Sequence, residues 1–172
     1  MFIFGKKKEP VEERIAKILF DNSLVISTAE SCTGGLLSSR LTDVPGSSRY
    51  IKLNFVTYSN AGKQALLGVS EDTLEQHGAV SKECATEMAI GLHAKTNADV
   101  VICTTGIAGP TGGSPNKPVG LMFVGIKSKY KSVVREFRLN PKFKRKKMKY
   151  QFTQCALEML YDFLSDNLPS NE

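Results

Sequence analysis

Apolar residues recur along the first part of the chain in two patterns, which predict helices and strands in turn. Residues 10–20 carry apolar side chains at helical spacing, and Pro10 stands where a helix can begin. A short apolar run at 24–27 predicts a buried strand, and the segment 36–41 predicts a helix. The partly alternating, β-rich stretch 51–58 predicts a second strand.

The middle of the chain continues this order. Ser70 and Ser81 are predicted N-caps of two further helices. The second of these helices has one apolar face, formed by Cys84, Ala85, Met88, Ala89 and Leu92. Residues 99–104 form a near-continuous apolar run, which is typical of a strand covered on both faces of its sheet.

The last third predicts a hairpin and a long helix, which together fix the fold class. Residues 119–127 and 132–138 are predicted to pair as strands. The final helix is marked by apolar residues at helical spacing: Met148, Phe152, Cys155, Met159, Leu160 and Phe163. This order predicts an α/β protein, a three-layer α/β/α sandwich with a mostly parallel sheet and one antiparallel strand. We expect one domain at 10–165, a flexible N-terminal segment at 1–9 and a C-terminal tail at 166–172.

The positive charge of the chain is concentrated in one place. The 172 residues carry a formal net charge of +6. Residues 142–149 contain six basic residues and no acidic one, so this basic cluster accounts for the whole net charge. A local cluster of this kind does not describe a uniformly basic surface for nucleic acid.

Cysteine, histidine and apolar patterns exclude several classes of protein. The four cysteines lie far apart without a CxxC pair, and neither His77 nor His93 forms a metal-binding motif with them. This predicts free thiols in a reducing compartment and no bound metal. The apolar start of the chain is too short for a signal peptide, and no stretch is long enough to span a membrane. We therefore expect a cytoplasmic protein.

Two glycine-rich segments follow predicted strands, where open α/β sheets commonly bind ligands. In the first, 28–35, Ser31 stands at a strand-to-helix junction, where free N–H groups and the helix dipole favour developing negative charge. Gly34 and Gly35 allow the backbone to approach a ligand closely. The segment suits a nucleophile that attacks a carbonyl. In the alternative interpretation, Ser31 or Thr33 only caps the helix.

The second segment, 104–113, has enough glycine either to surround a phosphate or sugar with N–H groups or simply to form turns. A nucleophilic serine also needs a base, and neither histidine lies in a glycine-rich segment. Lys63 is the candidate, because a lysine desolvated beside a serine loses its proton near neutral pH. The hydroxyl of Tyr58 would relay or orient that proton. In the alternative interpretation, Lys63 is a surface lysine.

Five short strings occur in one order and carry a family resemblance. They are AESCTGG at 29–35, FVTYSN at 55–60 with Lys63 after it, GAVS at 78–81, GIAGP at 106–110 and KPVG at 117–120. Any one string is a weak signal, whereas five in register are highly specific. Over roughly residues 10–165 the chain closely resembles the CinA C-terminal domain family, the nicotinamide mononucleotide deamidases.

This resemblance implies a fold, an activity and a set of site residues. The fold would be like the anticodon-binding domain of some tRNA synthetases, and the protein would be a homodimer without cofactor or metal. The activity would be hydrolysis of nicotinamide mononucleotide to nicotinic acid mononucleotide and ammonia. Ser31 would be the nucleophile, Lys63 its general base and Tyr58 their partner in proton transfer. The substrate-binding residues implied in the same way are Thr33, Gly34, Gly35, Ser48, Thr105, Gly106 and Arg145.

The start of the last predicted helix departs from the family pattern. The family has Gly-Asp-Arg followed by Val-Arg at this place. Here Arg145 matches the first arginine, while Phe-Lys at 143–144 and Met-Lys at 148–149 replace the other residues. A basic helix start can bind the 5′-phosphate of the substrate, although Lys149 lacks the two-pronged geometry of arginine.

Two functions other than deamidation stay open at this point. One is a non-catalytic nucleotide-binding or regulatory module linked to competence or DNA damage, against which the intact Ser31, Tyr58 and Lys63 argue. The other is nucleic-acid binding through the basic cluster, which aromatic residues flank at Phe143 and Tyr150.

Overall fold

The computed structural model describes residues 9–167, and one five-stranded sheet forms its centre. The strands are β1 (Ile26–Glu30), β2 (Ile51–Val56), β3 (Val100–Gly106), β4 (Leu121–Ser128) and β5 (Ser132–Arg138). They lie in the order β2-β1-β3-β4-β5. β1 is parallel to β2 and β3, whereas β4 is antiparallel to β3 and β5. The predicted mostly parallel sheet with one antiparallel strand, β4, is thus confirmed.

Helices cover both faces of the sheet and complete three layers. They are α1 (Val11–Asp21), α2 (Leu36–Thr42), α3 (Asn60–Leu67), α4 (Glu71–Gln76), α5 (Lys82–Thr96) and α6 (Arg145–Asn167). In β3, Val100 and Ile102 pack into a core with α1, α2 and α6. Val101 and Cys103 point the other way, into a second core with α5. β3 is therefore buried on both faces, as its apolar run predicts.

Ser70 and Ser81 are the N-caps of α4 and α5, as predicted. The Ser70 hydroxyl accepts a hydrogen bond from the Thr73 N–H at 3.1 Å, and the Ser81 hydroxyl accepts one from the Cys84 N–H at 3.1 Å. The predicted apolar face of α5 is fully buried. These two caps fix where α4 and α5 begin, and the loop between them, 78–81, lies beside the cavity described below.

The sequence places the first strand wrongly and misses one helix, for identifiable reasons. The first strand is Ile26–Glu30 instead of 24–27, because its second half is polar in sequence but fully buried in the structure. Helix α3 is not predicted by the apolar pattern, since only Lys63 and Leu67 of its eight residues are buried. The Ser59 hydroxyl caps α3 by accepting a hydrogen bond from the Gly62 N–H at 3.0 Å.

The ends of the chain are only partly described. α6 runs to Asn167, so it includes the first two residues of the expected tail. The rest of that tail, 168–172, and residues 1–8 of the expected N-terminal segment lie outside the described residues. No helix within 9–167 is both long enough and apolar enough to cross a membrane.

Candidate active site

Ser31 and Lys63 meet at the carboxyl ends of β1 and β2. Ser31 directly follows β1, and its N–H donates to the Thr104 carbonyl on β3 at 3.0 Å. Lys63 lies on the first turn of α3, which begins four residues after β2 ends. Because parallel strands end at the same edge of a sheet, the two side chains converge there. The Lys63 Nζ lies 3.1 Å from the Ser31 Oγ and 2.9 Å from the Thr57 carbonyl oxygen, to which it donates.

The surroundings of Lys63 favour its neutral form. Its side chain is only 1% exposed, and among residues 9–167 no carboxylate forms a salt bridge with it. Burial lowers the pKa of Lys63 below its ordinary value of 10.5. Burial also raises the pKa of the Cys84 thiol to about 11 and that of the Cys32 thiol to about 12. Both thiols are therefore neutral at physiological pH and do not hold a proton on Lys63 by charge.

The start of α2 is occupied by Glu30, which corrects the sequence argument about Ser31. The Glu30 carboxylate accepts hydrogen bonds from the N–H groups of Gly35, Leu37 and Ser38 at 3.0, 3.0 and 2.7 Å. Neither Ser31 nor Thr33 caps this helix, and its first N–H groups are not free to meet a ligand. A negative charge beside Ser31 would therefore meet the N–H groups of the turn between Ser31 and α2, and not those of the helix start.

A cavity of about 270 Å³ opens beside the Ser31–Lys63 pair. Several predicted site residues line it together: Ser31, Tyr58, Lys63, Thr105, Gly106 and Arg145. Gly109, Thr111 and Gly112 also line it, and they belong to the glycine-rich segment 104–113 that the sequence indicated as a ligand-facing loop. Three further lining residues were not singled out from the sequence: Asn60, Ala79 and Val80. These stand within the strings that carry the family resemblance, so the signal for them was present in the sequence.

Tyr58 and Arg145 interact with each other at the rim of the cavity. The Arg145 guanidinium donates to the Tyr58 hydroxyl at 2.7 Å and to the Gly109 carbonyl at 2.7 Å. Tyr58 is 59% exposed, and its hydroxyl is held by Arg145 instead of by Ser31 or Lys63. Arg145 thus joins the segment after β2 to the glycine-rich loop after β3. Since a guanidinium has five N–H donors, three remain for a ligand.

Thr105 and Gly106 form the wall at the end of β3. The Thr105 hydroxyl donates to the Ala79 carbonyl at 2.6 Å, and its side chain is fully buried. A Cβ at Gly106 would lie 2.7 Å from the Leu121 carbonyl oxygen, so no larger residue fits there without a shift of the backbone. Both residues shape the cavity through backbone and packing contacts.

The structure does not bring four of the predicted substrate-binding residues into the lining of this cavity. Thr33 is fully buried, and its hydroxyl is hydrogen-bonded to the Thr104 hydroxyl at 2.8 Å. Gly34 and Gly35 form the turn into α2 in left-handed conformations. Ser48 is exposed in the 3-10 turn Ser47–Arg49, which precedes β2 and therefore lies toward the opposite edge of the sheet.

The basic cluster lies mostly in solvent around the start of α6. Lys142, Lys144, Lys146 and Lys147 are exposed, and the Lys147 ammonium stands 4.4 Å from the centre of the Phe143 ring. Lys149 differs from them because it is half-buried, with its ammonium only 3.2 Å from where a Cβ of Gly34 would be. Arg145 therefore faces the cavity and Lys149 faces the turn 31–34, whereas Lys147 packs against Phe143.

Comparison with known proteins gives one family and a set of longer relatives. A family model described as the CinA C-terminal domain matches residues 8–164. A CinA-like protein of Chloroherpeton thalassium is 45% identical over 166 residues, which cover 95% of this chain and 40% of that protein. A CinA-like protein of Chlorobium limicola is 46% identical over 169 residues, covering 96% of this chain and 39% of that protein. The chain spans about two fifths of the length of these curated relatives.

Solved structures with the same fold match this chain over nearly the whole length of both chains. The crystal structure of the competence/damage inducible protein CihA from Agrobacterium tumefaciens has a TM-score of 0.85 and 39% identity, covering 96% of this chain and 99% of that chain. The competence damage-inducible protein A of Klebsiella pneumoniae has a TM-score of 0.87 and 28% identity, covering 92% of this chain and 97% of that chain.

Proposed function

The chain belongs to the CinA C-terminal domain family, and on that premise we propose that it hydrolyses the amide of nicotinamide mononucleotide to nicotinic acid mononucleotide and ammonia. The observation that carries this proposal is the buried Lys63 amine nitrogen 3.1 Å from the Ser31 hydroxyl oxygen, with a lowered lysine pKa. A serine with an adjacent base is a common arrangement for acyl transfer from an amide. Membership of the CinA C-terminal domain family supports a nucleotide substrate, and the site geometry supports the reaction class.

The reaction divides into two acyl-transfer steps. In the first, the neutral Lys63 amine takes the proton of the Ser31 hydroxyl while the Ser31 oxygen attacks the amide carbon. The carbon–nitrogen bond then breaks, and Lys63 returns the proton to the leaving amide nitrogen, which departs as ammonia. In the second step a water molecule, deprotonated by Lys63, attacks the ester. Ser31 leaves with that proton, and nicotinic acid mononucleotide is released.

Tyr58 stands at the rim of the cavity, where its first role is to orient the substrate. Its hydroxyl accepts a hydrogen bond from Arg145, which places the ring at the rim beside the Ser31–Lys63 pair. The Tyr58 phenol also takes part in proton transfer, as the resemblance implies, once the substrate has displaced Arg145 from it.

We expect Arg145 to bind the 5′-phosphate. Removing a charge-assisted contact costs about 1.5–3 kcal/mol, or roughly 10- to 150-fold in kcat/KM. Arg145→Ala should therefore lower kcat/KM for nicotinamide mononucleotide by that factor, and affect nicotinamide riboside, which has no phosphate, much less. Lys147→Ala is the matched control, because Lys147 is in the same basic cluster but stacks on Phe143.

The ratio of kcat/KM for the two substrates decides this point. An unchanged ratio in Arg145→Ala would contradict the phosphate role. An equal change in Lys147→Ala would also contradict it, because a diffuse effect of positive charge would then be sufficient.

The homodimer implied by the family is a further part of the proposal. β2 forms an edge of the sheet, and it exposes Leu53 and Val56, which are 46% and 52% accessible. Apolar side chains on an open edge strand favour pairing with another copy. We expect the molecular mass measured by light scattering at micromolar protein to be that of two chains, and Leu53→Lys to reduce it to one. A wild-type protein that is monomeric at these concentrations would contradict this.

The proposed activity is tested by release of ammonia from nicotinamide mononucleotide by the purified protein. Formation of nicotinic acid mononucleotide in equal amount identifies the reaction as deamidation. Salt-sensitive binding of DNA that depends on the whole basic cluster, without release of ammonia, would favour nucleic-acid binding instead.

A further inference from the structure

Glu30 is a fully buried carboxylate placed directly before Ser31. Besides the three N–H groups at the start of α2, it accepts a hydrogen bond from the Ser38 hydroxyl. Because that hydroxyl donates to Glu30, the Thr28 hydroxyl donates to Ser38 in turn, at 2.7 Å. All four contacts of Glu30 are with donors, so the side chain acts only as an acceptor. A charged group buried this completely is retained only where its contacts compensate the cost of desolvation.

Hydrogen bonds hold both ends of the turn that carries Ser31. At its beginning, the Ser31 N–H is bonded to the Thr104 carbonyl of β3 at 3.0 Å. At its end, Glu30 reaches across the turn to the N–H groups of Gly35, Leu37 and Ser38. Within the turn, the Gly34 N–H donates to the Ser31 carbonyl at 3.1 Å. The position of the Ser31 hydroxyl relative to Lys63 thus depends on the Glu30 bridge.

Glu30 also determines which N–H groups near Ser31 stay available. It uses those of the helix start, whereas the N–H groups of Cys32 and Thr33 make no backbone hydrogen bond within residues 9–167. Cys32 follows Ser31 and lines the cavity. An N–H on the residue after a nucleophile is well placed to stabilise the negative oxygen that forms when the carbonyl is attacked.

We infer that Glu30 is a positioning residue for the reaction. It fixes the turn 31–34 so that the Ser31 oxygen stays within reach of Lys63 and the Cys32 N–H points at the developing oxyanion. This inference rests on the proposed function, since it assigns Glu30 a part in the attack by Ser31. It differs from a purely structural role in one respect: loss of Glu30 lowers the rate in molecules that are still folded.

The test replaces Glu30 by glutamine, which keeps the length of the side chain but presents an NH₂ group to donors. We expect kcat for nicotinamide mononucleotide to fall roughly 100-fold, the effect of displacing a reacting group by about 1 Å or losing one oxyanion donor. KM should change by no more than a few-fold, because the substrate contacts lie elsewhere in the cavity.

Glu87→Gln is the matched control. Glu87 is a half-buried carboxylate that accepts from the Ser70 N–H at 2.8 Å and from the Thr73 hydroxyl at 2.7 Å, so it supports the start of α4 as Glu30 supports that of α2. Glu87→Gln should lower the midpoint of urea unfolding and leave kcat unchanged. If Glu30→Gln behaves in the same way, Glu30 is only structural and the inference is wrong.

A second readout separates this inference from the proposed function. A fluorophosphonate probe labels an activated serine without any nucleotide substrate, and we expect labelling of Ser31 to slow about 100-fold in Glu30→Gln. Slower labelling in a protein that releases no ammonia would support Glu30 and contradict the deamidase proposal. Unchanged labelling and kcat in Glu30→Gln would support the deamidase and overturn the role of Glu30. A wild-type protein that neither releases ammonia nor is labelled at Ser31 would contradict both the deamidase proposal and the role of Glu30.

Should Glu30→Gln not fold, Ser38→Ala decides the question by the same two measurements. It removes one of the four hydrogen bonds to Glu30 and retains the carboxylate. We expect a several-fold decrease in both kcat and labelling, and no decrease in either would overturn the inference.

Discussion

Replacing Ser31 with alanine is expected to lower the rate of ammonia release by a factor on the order of 10³ or more, while the protein stays folded. The loss follows from removal of the oxygen that forms the ester with the substrate. The fold should persist because the Ser31 side chain is bonded only to Lys63 among the described residues, and the N–H that anchors the turn belongs to the backbone. The measurement is kcat with the urea unfolding midpoint determined on the same preparation.

Ser39→Ala serves as the matched control for this prediction. Ser39 is an exposed serine on α2, in the same segment of sequence but outside the cavity. It should retain full activity. A folded Ser31→Ala protein with turnover near that of Ser39→Ala would exclude Ser31 as the nucleophile.

Replacing Lys63 with methionine is expected to have the second largest effect, a decrease in kcat of about 10²-fold or more, because general-base catalysis commonly contributes that much. Methionine is of similar length and has no titrating group. Lys17→Met is the control, since Lys17 is exposed on α1. An active Lys63→Met protein would show that another group removes the serine proton.

The pH dependence of the wild type tests the same residue. Because the proposed mechanism uses the neutral amine of Lys63, kcat/KM should decrease as the pH falls below its lowered pKa. If the residual activity of Lys63→Met decreases at low pH in the same way, another group is responsible for the decrease.

Stability and activity should both increase with pH as Lys63 loses its proton. The folded protein binds this proton less readily than the unfolded chain, so the stability of the wild type rises with pH between the lowered pKa and the ordinary value of 10.5. Lys63→Met lacks this dependence. The difference in unfolding free energy between the two proteins should therefore shift in favour of methionine as the pH falls through this window.

The sequence predicted the sheet and the meeting of Ser31 with Lys63 better than it predicted local geometry. Apolar runs located β3 and the late hairpin because those strands are buried in ways that leave a clear pattern. The first strand was predicted too early in the sequence, because Thr28 and Glu30 are polar residues that are buried and make their hydrogen bonds inside the fold. The local sequence does not show that the buried Glu30 carboxylate will accept hydrogen bonds from N–H groups at the start of α2.

The pairing of Ser31 with Lys63 came from the family strings and not from spacing along the chain. The two residues are 32 positions apart, and only the parallel arrangement of β1 and β2 brings them together. Ser48 illustrates the opposite case, since the resemblance implied a role in binding substrate but the chain places it before β2, away from the cavity. Arg145 was predicted to bind phosphate, and its bridge between Tyr58 and Gly109 was not foreseeable without coordinates.

The most direct test of the proposed function is the time course of product formation from nicotinamide mononucleotide after dialysis of the protein against a strong chelator. We predict that ammonia and nicotinic acid mononucleotide appear in equal amounts, at the rate of the undialysed protein, and that the Ser31→Ala protein forms neither. No product from the wild type, or a rate lost on chelation and restored by one divalent ion, would contradict a metal-independent serine-lysine deamidase.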